Sequence, residues 1–320
     1  MATNTWSAAG ADNWSTDAAW SLGHVPLATE DVVFDATSVE DCTLNINSAL
    51  LGNLTIADAY TGTFTHTDGV LLEFAGDIYV GTAVTFVATA NSVLISKPAG
   101  AQALTTNGKT LGRFRRFGAA AGSITLQDPL AAFKFEIDTT GCFQGGHKIT
   151  AGLIAIRAAA TGTLDAEIEI SSGTSYWQCG AGVVLGPNFF VTVLGDLTLA
   201  CLDAASSFRL AIGAGHTCAF LQNASYTYNM AGHVAGDWDG GIVVSSNPGT
   251  AATIAAEAGM VVSNMTVTDI NNGGAAIDAS DGTNTDGGGN TGWNFTGGGA
   301  TGSSVARQKS STSVGVGIGV

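Results

Sequence analysis

The residues best suited to acid–base chemistry are two carboxylates that flank a tryptophan. In an extended strand, Asp237 and Asp239 would share one side and Trp238 would take the other. A glycosidase could use such an arrangement, but it needs a second carboxyl group at a defined separation of about 5–9.5 Å. No Lys or Arg lies close in the sequence to assist cleavage of an acidic sugar. A solvated turn is the preferred interpretation, and no catalytic residue and no enzymatic activity are predicted.

A second candidate is a run of hard oxygen ligands near the C-terminus. Calcium takes six to eight such ligands in proteins. The run lacks the closing Glu of an EF-hand, and the nonapeptide calcium repeat is missing too. Asp and Asn side chains in turns mostly cap their own backbone. We therefore predict no metal and no cofactor, and keep as weak calcium candidates Asp278, Asp281, Asn284 and Asp286, with Asn290 beside them.

The histidines and cysteines carry no recognisable site. The five histidines show neither HxH nor HExxH spacing, and no two of the five cysteines form a CxxC pair. Several cysteines sit in apolar runs, where cysteine behaves as a small buried hydrophobe. We expect buried free thiols in a chain folded in a reducing cytosol.

One short basic segment stands out in an otherwise acidic chain. If it is extended, Arg113, Arg115 and Phe117 share one face. Arg and Phe are favoured in the centres of protein interfaces. The segment predicts a contact with another subunit or a partner protein, the alternative being an ordinary exposed strand, through Arg113, Phe114, Arg115, Arg116 and Phe117.

Composition limits the classes of function. The chain has 320 residues, a formal net charge of −15, 12% charged residues and 45% apolar residues. So many apolar residues predict a folded chain rather than a disordered one. Nucleic acid and anionic membranes are unlikely partners, because both need clustered Lys and Arg. The start of the sequence lacks the features of a signal peptide, and no stretch reaches the ~18 apolar residues of a membrane span.

Alternating short runs predict the architecture. One run alternates Phe133, Phe135 and Ile137 with Lys134 and Glu136. Similar runs recur at a spacing of about ten residues, and more weakly at a spacing near twenty residues. Helical periodicity is almost missing. We predict an all-β chain, a β-solenoid resembling a parallel β-helix, in which each coil contributes two or three strands. A β-sandwich or jelly roll is the alternative.

The chain divides into four predicted segments. Residues 1–50 contain three tryptophans and are expected to form an N-terminal cap or attachment segment. Residues 51–222 form the solenoid body and residues 223–296 a C-terminal β-rich region. Residues 297–320 combine a Gly/Ser-rich linker with a terminal apolar strand. That strand is expected to pair with a sheet edge of a neighbouring subunit, or of its own chain, through Val314, Val316, Ile318 and Val320.

Three parts of the sequence carry a recognisable pattern. They are residues 4–6, 10–15, 19–20, 25–26 and 31–35 at the start, 145–152 in the middle, and 286–295 near the end. The first part resembles the opening of bacterial surface and phage β-helix proteins, the second resembles a coil repeat of the same group, and the third is similar to the closing motif of phage and virus-type structural β-helices. Together they cover most of residues 1–296, and the last twenty or so residues depart from the pattern.

The resemblance implies a virion structural protein made in the host cytoplasm. It would be a capsid decoration or cement protein, or a short fibre, that binds the major capsid protein or another virion protein. The expected oligomer is a homotrimer, and nucleic acid and membranes are not expected as partners. The alternatives are a tailspike-like β-helix that binds or cleaves polysaccharide, and a secreted adhesin.

Overall fold

The computed structural model of the chain is a β-solenoid built almost entirely of short strands. Every strand pair among its described residues is parallel. This confirms the predicted solenoid and excludes the sandwich. The structure describes residues 1–98, 100–117, 122–138, 142–156, 161–164, 167–171, 174–177, 182–185, 190–193, 196–199, 209–220, 225–228, 238–256 and 259–295.

The strands follow one another at short intervals. In the first hundred residues they are β1 (Thr3–Thr5), β2 (Asp12–Asn13), β3 (Asp31–Phe34), β4 (Cys42–Leu44), β5 (Leu50–Leu51), β6 (Leu54–Ile56), β7 (Thr63–His66), β8 (Leu71–Phe74), β9 (Ile78–Val80), β10 (Thr85–Ala88) and β11 (Val93–Ser96). In the second hundred they are β12 (Gln102–Thr105), β13 (Thr110–Arg116), β14 (Ser123–Leu126), β15 (Leu130–Ile137), β16 (Cys142–Gln144), β17 (Ile149–Ile156), β18 (Thr161–Leu164), β19 (Glu167–Ile170), β20 (Thr174–Trp177), β21 (Gly182–Leu185), β22 (Phe190–Val193) and β23 (Asp196–Leu199). The remaining strands are β24 (Arg209–Ile212), β25 (Thr217–Phe220), β26 (Ser225–Tyr228), β27 (Ile242–Ser245), β28 (Ala252–Ala256), β29 (Thr266–Thr268), β30 (Ile270–Asn272), β31 (Ile277–Asp278), β32 (Thr285–Asp286) and β33 (Trp293–Asn294).

The strands stack into three faces, because each coil contributes strands to different sheets. The first face contains β1, β3, β6, β9, β12, β14, β16, β18 and β21 in that order. The second face begins with β2, β4, β7 and β10. The third face runs from β5 through β8, β11, β13, β15 and β17 to β20, β23, β25, β27, β29 and β32. The long strands β13, β15 and β17 span the second and third faces, since β17 pairs with β19 at its start and with β20 at its end.

The register of the first face gives the length of a coil. Thr3 pairs with Asp31, 28 residues later, and Ser123 pairs with Cys142, 19 residues later. Coils of about twenty residues, each with two or three strands, account for the weaker repeat at a spacing near twenty residues in the sequence.

The core is a set of stacked columns. Inward-facing residues of successive coils lie directly over one another and are almost completely buried. Burying a large apolar side chain stabilises the fold by about 1.5–3 kcal/mol, so each coil needs its neighbours to cover its interior. One such column on the third face contains Leu72, Leu94, Phe114, Phe135 and Ile154.

The long strands turn a corner, and there the expected alternation is wrong. Phe133 points outward with 45% of its surface exposed, whereas Phe135 and Ile137 are buried. The pairing between β13 and β15 skips Gly112 and Phe133, so the alternation changes phase between the second and third faces. Gly112 is needed at this corner, because a Cβ atom there would lie 2.2 Å from the carbonyl oxygen of Ser92.

The N-terminal segment caps the first coil. After Trp6 the chain reverses, so that Ser7 donates a hydrogen bond to the Ala19 carbonyl and Ser21 donates one to the Thr5 carbonyl. This antiparallel return covers the outer edge of β1, an edge that would otherwise be open to another strand. The short 3₁₀ helix Asp17–Ala19 lies within the return.

The three tryptophans of the cap form its core. Trp6, Trp14 and Trp20 are almost fully buried, and Phe34 of the next coil packs against all three, with ring centroids 5.8–6.2 Å away. Such aromatic pairs add about 0.5–1.5 kcal/mol beyond the area that they bury. The tryptophans therefore fill the start of the stack, and the role of residues 1–50 as a cap or attachment segment stays a prediction.

The sheets continue across two of the expected segment boundaries. The pairing of β3 with β6 crosses residue 50, and the pairing of β25 with β27 crosses residue 222. Residues 297–320, and with them the expected contacts of the terminal strand, lie outside the described residues. Among the described residues, no helix has the length and apolar character that crossing a membrane would require.

Polar side chains connect successive coils at the corner before the first face. Asn53 donates from its backbone N–H and its Nδ2 to Asp31 Oδ1, at 2.8 and 2.9 Å. Its own Oδ1 accepts the backbone N–H of Asp77 at 2.6 Å, and Asp77 Oδ1 accepts that of Ala103 at 2.7 Å. Each of these side chains satisfies a donor of a neighbouring coil, and the result is a polar ladder through four coils.

We predict that Asn53→Ala destabilises the solenoid by about 1–2 kcal/mol, because it removes two hydrogen bonds, one to Asp31 and one from the backbone N–H of Asp77. Urea unfolding and hydrogen exchange at the Asp77 amide would measure the change. Gln127→Ala is the control, since the Gln127 side chain is exposed and donates only within its own coil. The free energy of unfolding of this control should differ from that of the unchanged protein by no more than about 0.5 kcal/mol. Equal losses in the two variants would argue against the ladder.

A histidine is buried in the second face. His66 is 1% exposed, and its Nε2–H donates to the Val70 carbonyl at 2.9 Å. Burial lowers the pKa of His66 to about 4, a shift that the hydrogen bond to Val70 only partly opposes. The folded state therefore keeps this imidazole neutral at pH values where the unfolded chain protonates it.

We predict that this histidine makes the protein less stable in mild acid. The stability associated with neutral His66 is complete above pH 6.5 and is lost as the pH falls towards 4, by about 3 kcal/mol. His66→Gln keeps an N–H donor without the charge. The free energy of unfolding of the variant should therefore fall less than that of the unchanged protein between pH 7 and pH 4. Parallel pH profiles for the two proteins would contradict the prediction.

Candidate interaction surface

The predicted contact segment lies on the third face, where alternation divides its side chains. Arg113, Arg115 and Phe117 face outward, as expected from the sequence. Phe114 and Arg116 point into the solenoid and are 0% exposed, so they offer no surface to a partner. The expected contact through all five residues is therefore reduced to the three outward ones.

The two outward arginines are paired with carboxylates of the next coil. Arg113 places Nη2 2.5 Å and Nε 2.6 Å from Glu136 Oε2. Arg115 forms an ion pair with Asp138, and its Nε lies 3.9 Å from Glu136 Oε2. Because the carboxylates are largely buried, solvent screens these pairs less than it screens surface pairs, so the coupling between their partners is stronger. The pairs join β13 to β15 and to Asp138, the residue that follows it.

Phe117 extends the same network towards the preceding coil. Its ring centroid lies 4.5 Å from the Arg115 guanidinium carbon and 5.7 Å from Lys97 Nζ, both within the range of a cation–π contact. Lys97 in turn lies 2.7 Å from Glu73. We call this surface the charged band, and it consists of Glu73, Lys97, Arg113, Arg115, Phe117, Glu136 and Asp138.

Arg116 has a structural role beneath the band. Its guanidinium donates to the carbonyls of Phe117 and Gly122, at 3.2 and 3.3 Å. These carbonyls lie on either side of residues 118–121, so one side chain holds the two ends of that segment together. Desolvation lowers the pKa of Arg116.

Two residues beside the band were missed by the sequence argument. Phe133 is exposed at the corner, and Lys134 stands next to Arg113 in the register of β13 and β15. Among the described residues, Lys134 makes no side-chain hydrogen bond or ion pair. The glycines at positions 112 and 152, which flank Phe133 in the stack, were the available sign of a corner.

The weak calcium candidates cap turns and connect coils. Asp278 accepts from Ser280, which lowers the pKa of this aspartate, and Asp281 accepts from Thr283 and Asn284. Asn284 also accepts from the Met265 backbone. Asp286 and Asn290 are likewise occupied, through Gly288 and Ile270. No group of three or more His, Cys, Asp or Glu that could hold a metal ion occurs within the described ranges.

The remaining candidates also take part in packing. Trp238 is buried and donates to the Leu210 carbonyl, whereas Asp239 is exposed and accepts from Ser263 and Asn264 of the next coil. Asp237 lies outside the described residues. Cys42 and Cys218 are buried free thiols, as expected, and burial raises the pKa of both.

We predict that the Arg113–Glu136 pair contributes a coupling energy of at least about 1 kcal/mol. A double-mutant cycle with Arg113→Met and Glu136→Gln, measured by urea unfolding, would give this value. The control is the Lys148–Glu167 pair, 3.3 Å apart and about one-third exposed on each side. Its cycle, with Lys148→Met and Glu167→Gln, should give about 0.5 kcal/mol or less. Equal couplings would show that burial of Glu136 adds nothing.

No protein-family model, curated protein or solved structure matches the chain. The virion resemblance therefore has no support beyond the motifs in the sequence. The function has to be inferred from the solenoid and from its surface.

Proposed function

We propose that the chain is a structural protein of a virion, a capsid decoration or cement protein or a short fibre, that binds the capsid surface and stiffens the particle. One observation carries the proposal. Polar side chains hold one coil to the next, among them Asn53 and two of the residues considered as possible chemical groups, Asp239 and Asn284. A body connected in this way resists bending and suits a bracing role.

The surface supports the same proposal. Only 12% of the residues are charged, and the charged band gathers exposed Phe117 with cations on one face. Arg and aromatic residues are enriched at protein interfaces, where they contribute much of the binding energy. Because Arg113 and Arg115 are already paired within the chain, a capsid partner would contact them without having to neutralise two isolated charges.

Immunogold electron microscopy would test the location. Antibodies raised against the purified chain would be applied to virus particles. These particles would be sedimented from a culture of the organism whose genome encodes the chain. We expect gold at the particle surface, and label confined to soluble protein would overturn the proposal. Release of reducing sugar from host polysaccharide by the purified chain would instead favour the tailspike alternative.

A rebinding experiment would test the contact surface. We predict that Phe117→Ser weakens binding of the purified chain to particles by about tenfold, because an exposed aromatic anchor is lost. Val87→Ser is the matched control, since Val87 is similarly exposed but lies on the second face. Cosedimentation would measure both variants, and equal binding by the two would remove the charged band from the contact.

A further inference from the structure

The ionic charges of the chain are strongly segregated along the solenoid. Residues 1–96 contain no Lys or Arg and eleven Asp or Glu. Residues 97–148 contain seven Lys or Arg against three Asp or Glu. Because position along the sequence follows position along the stack, the first coils form an acidic end and the next coils a more basic middle section.

Lys134, a cation of this middle section, forms no ion pair with a carboxylate among the described residues. Arg113 and Lys134 are neighbours in the register of adjacent strands, so two positive charges stand side by side. Glu136 compensates Arg113, whereas no ion pair to Lys134 occurs in the described part of the chain. Beside Lys134, Phe133 exposes 45% of its surface. We call Arg113, Phe133 and Lys134 the basic patch.

A complementary surface lies in the loop between β3 and β4. Val39 is 45% exposed and is followed by the exposed carboxylates of Glu40 and Asp41, with Asp35 in the same loop. The Glu40 side chain makes no hydrogen bond or ion pair within the described ranges. We call Asp35, Val39, Glu40 and Asp41 the acidic patch. Each patch combines one exposed apolar side chain with a net charge. That charge is negative at the acidic patch, and at the basic patch it is positive through Lys134, since Glu136 compensates Arg113.

We propose that the basic patch binds the acidic patch of a second copy of this chain. Charge complementarity favours this occupant, since the acidic patch belongs to an end that carries no cation to repel Lys134. Phe133 and Val39 would add apolar contact that is independent of salt. The two patches are different surfaces of one molecule, so the contact between them joins unlike surfaces of the two copies.

Ionic strength and charge reversal test the proposal on the whole chain. Sedimentation velocity should show oligomers at low salt that dissociate at high salt, where screening shortens the reach of surface charges to about 3 Å. Lys134→Glu and Glu40→Lys should each weaken self-association by about tenfold or more. Phe133→Ser should weaken it as well, without any change in net charge.

Mixing the two charge variants provides the decisive readout. The Lys134→Glu variant keeps the original acidic patch and the Glu40→Lys variant keeps the original basic patch. These two surfaces should bind each other, so the mixture should associate more strongly than either variant alone. The control carries Thr55→Glu and Thr125→Glu on the first face, which match the charge change of Lys134→Glu. It should associate like the unchanged chain. Circular dichroism and melting curves would establish that every variant is folded.

Three outcomes would overturn the proposal. They are a chain that remains monomeric at low salt, a control that is as weak as Lys134→Glu, and folded variants that fail to associate when mixed. The first of these would leave capsid binding unaffected, so failure here is distinguishable from failure of the proposed function.

Discussion

Each coil of this solenoid is stable only because another coil lies against it. A single coil of about twenty residues cannot enclose its inward side chains, but a column such as Leu94, Phe114 and Phe135 buries them completely. The same stacking satisfies the backbone, since strand N–H and C=O groups pair with the coils on either side. The identity of each outward residue is less constrained, which explains how a chain with so few charges and so many small residues folds.

The alternation of apolar residues was enough to predict strands and coils, because burial in a strand has a period of two. It failed at Phe133 and could not place Arg116. At Phe133 the strand bends around a corner. The bend depends on the close approach of Gly112 to the Ser92 carbonyl in another coil. Arg116 is buried because two carbonyls near residues 118–121 receive its guanidinium. The first effect is a contact between coils, and the second is made with carbonyls one and six residues away. The alternation of apolar residues describes neither.

The candidate site was predicted in part for a similar reason. The side chains of Arg113, Arg115 and Phe117 were correctly placed on one face, since that follows from the strand alone. Their neutralisation by Glu136 and Asp138 depends on register, which brings residues more than twenty positions apart into contact. In the oxygen-rich turns near the C-terminus, Asn284 and Asn290 bond to the preceding coil for the same reason, whereas Asp278, Asp281 and Asp286 cap their own turns.

The ends of a stack of coils are open to further strand pairing, because the last strand of each face presents unpaired backbone groups. At the N-terminal end the chain solves this with its own antiparallel return, held by Asn4, which donates to the His24 carbonyl and accepts from the Leu22 N–H. With that edge of β1 covered, end-to-end growth by strand pairing is blocked there on the first face. The side of the stack stays open to partners, and there the chain exposes Phe117 and Phe133 beside charged groups. The covered edge of β1 and the exposed charged band therefore both favour contacts through outward side chains over addition of a strand at the N-terminal end of the first face.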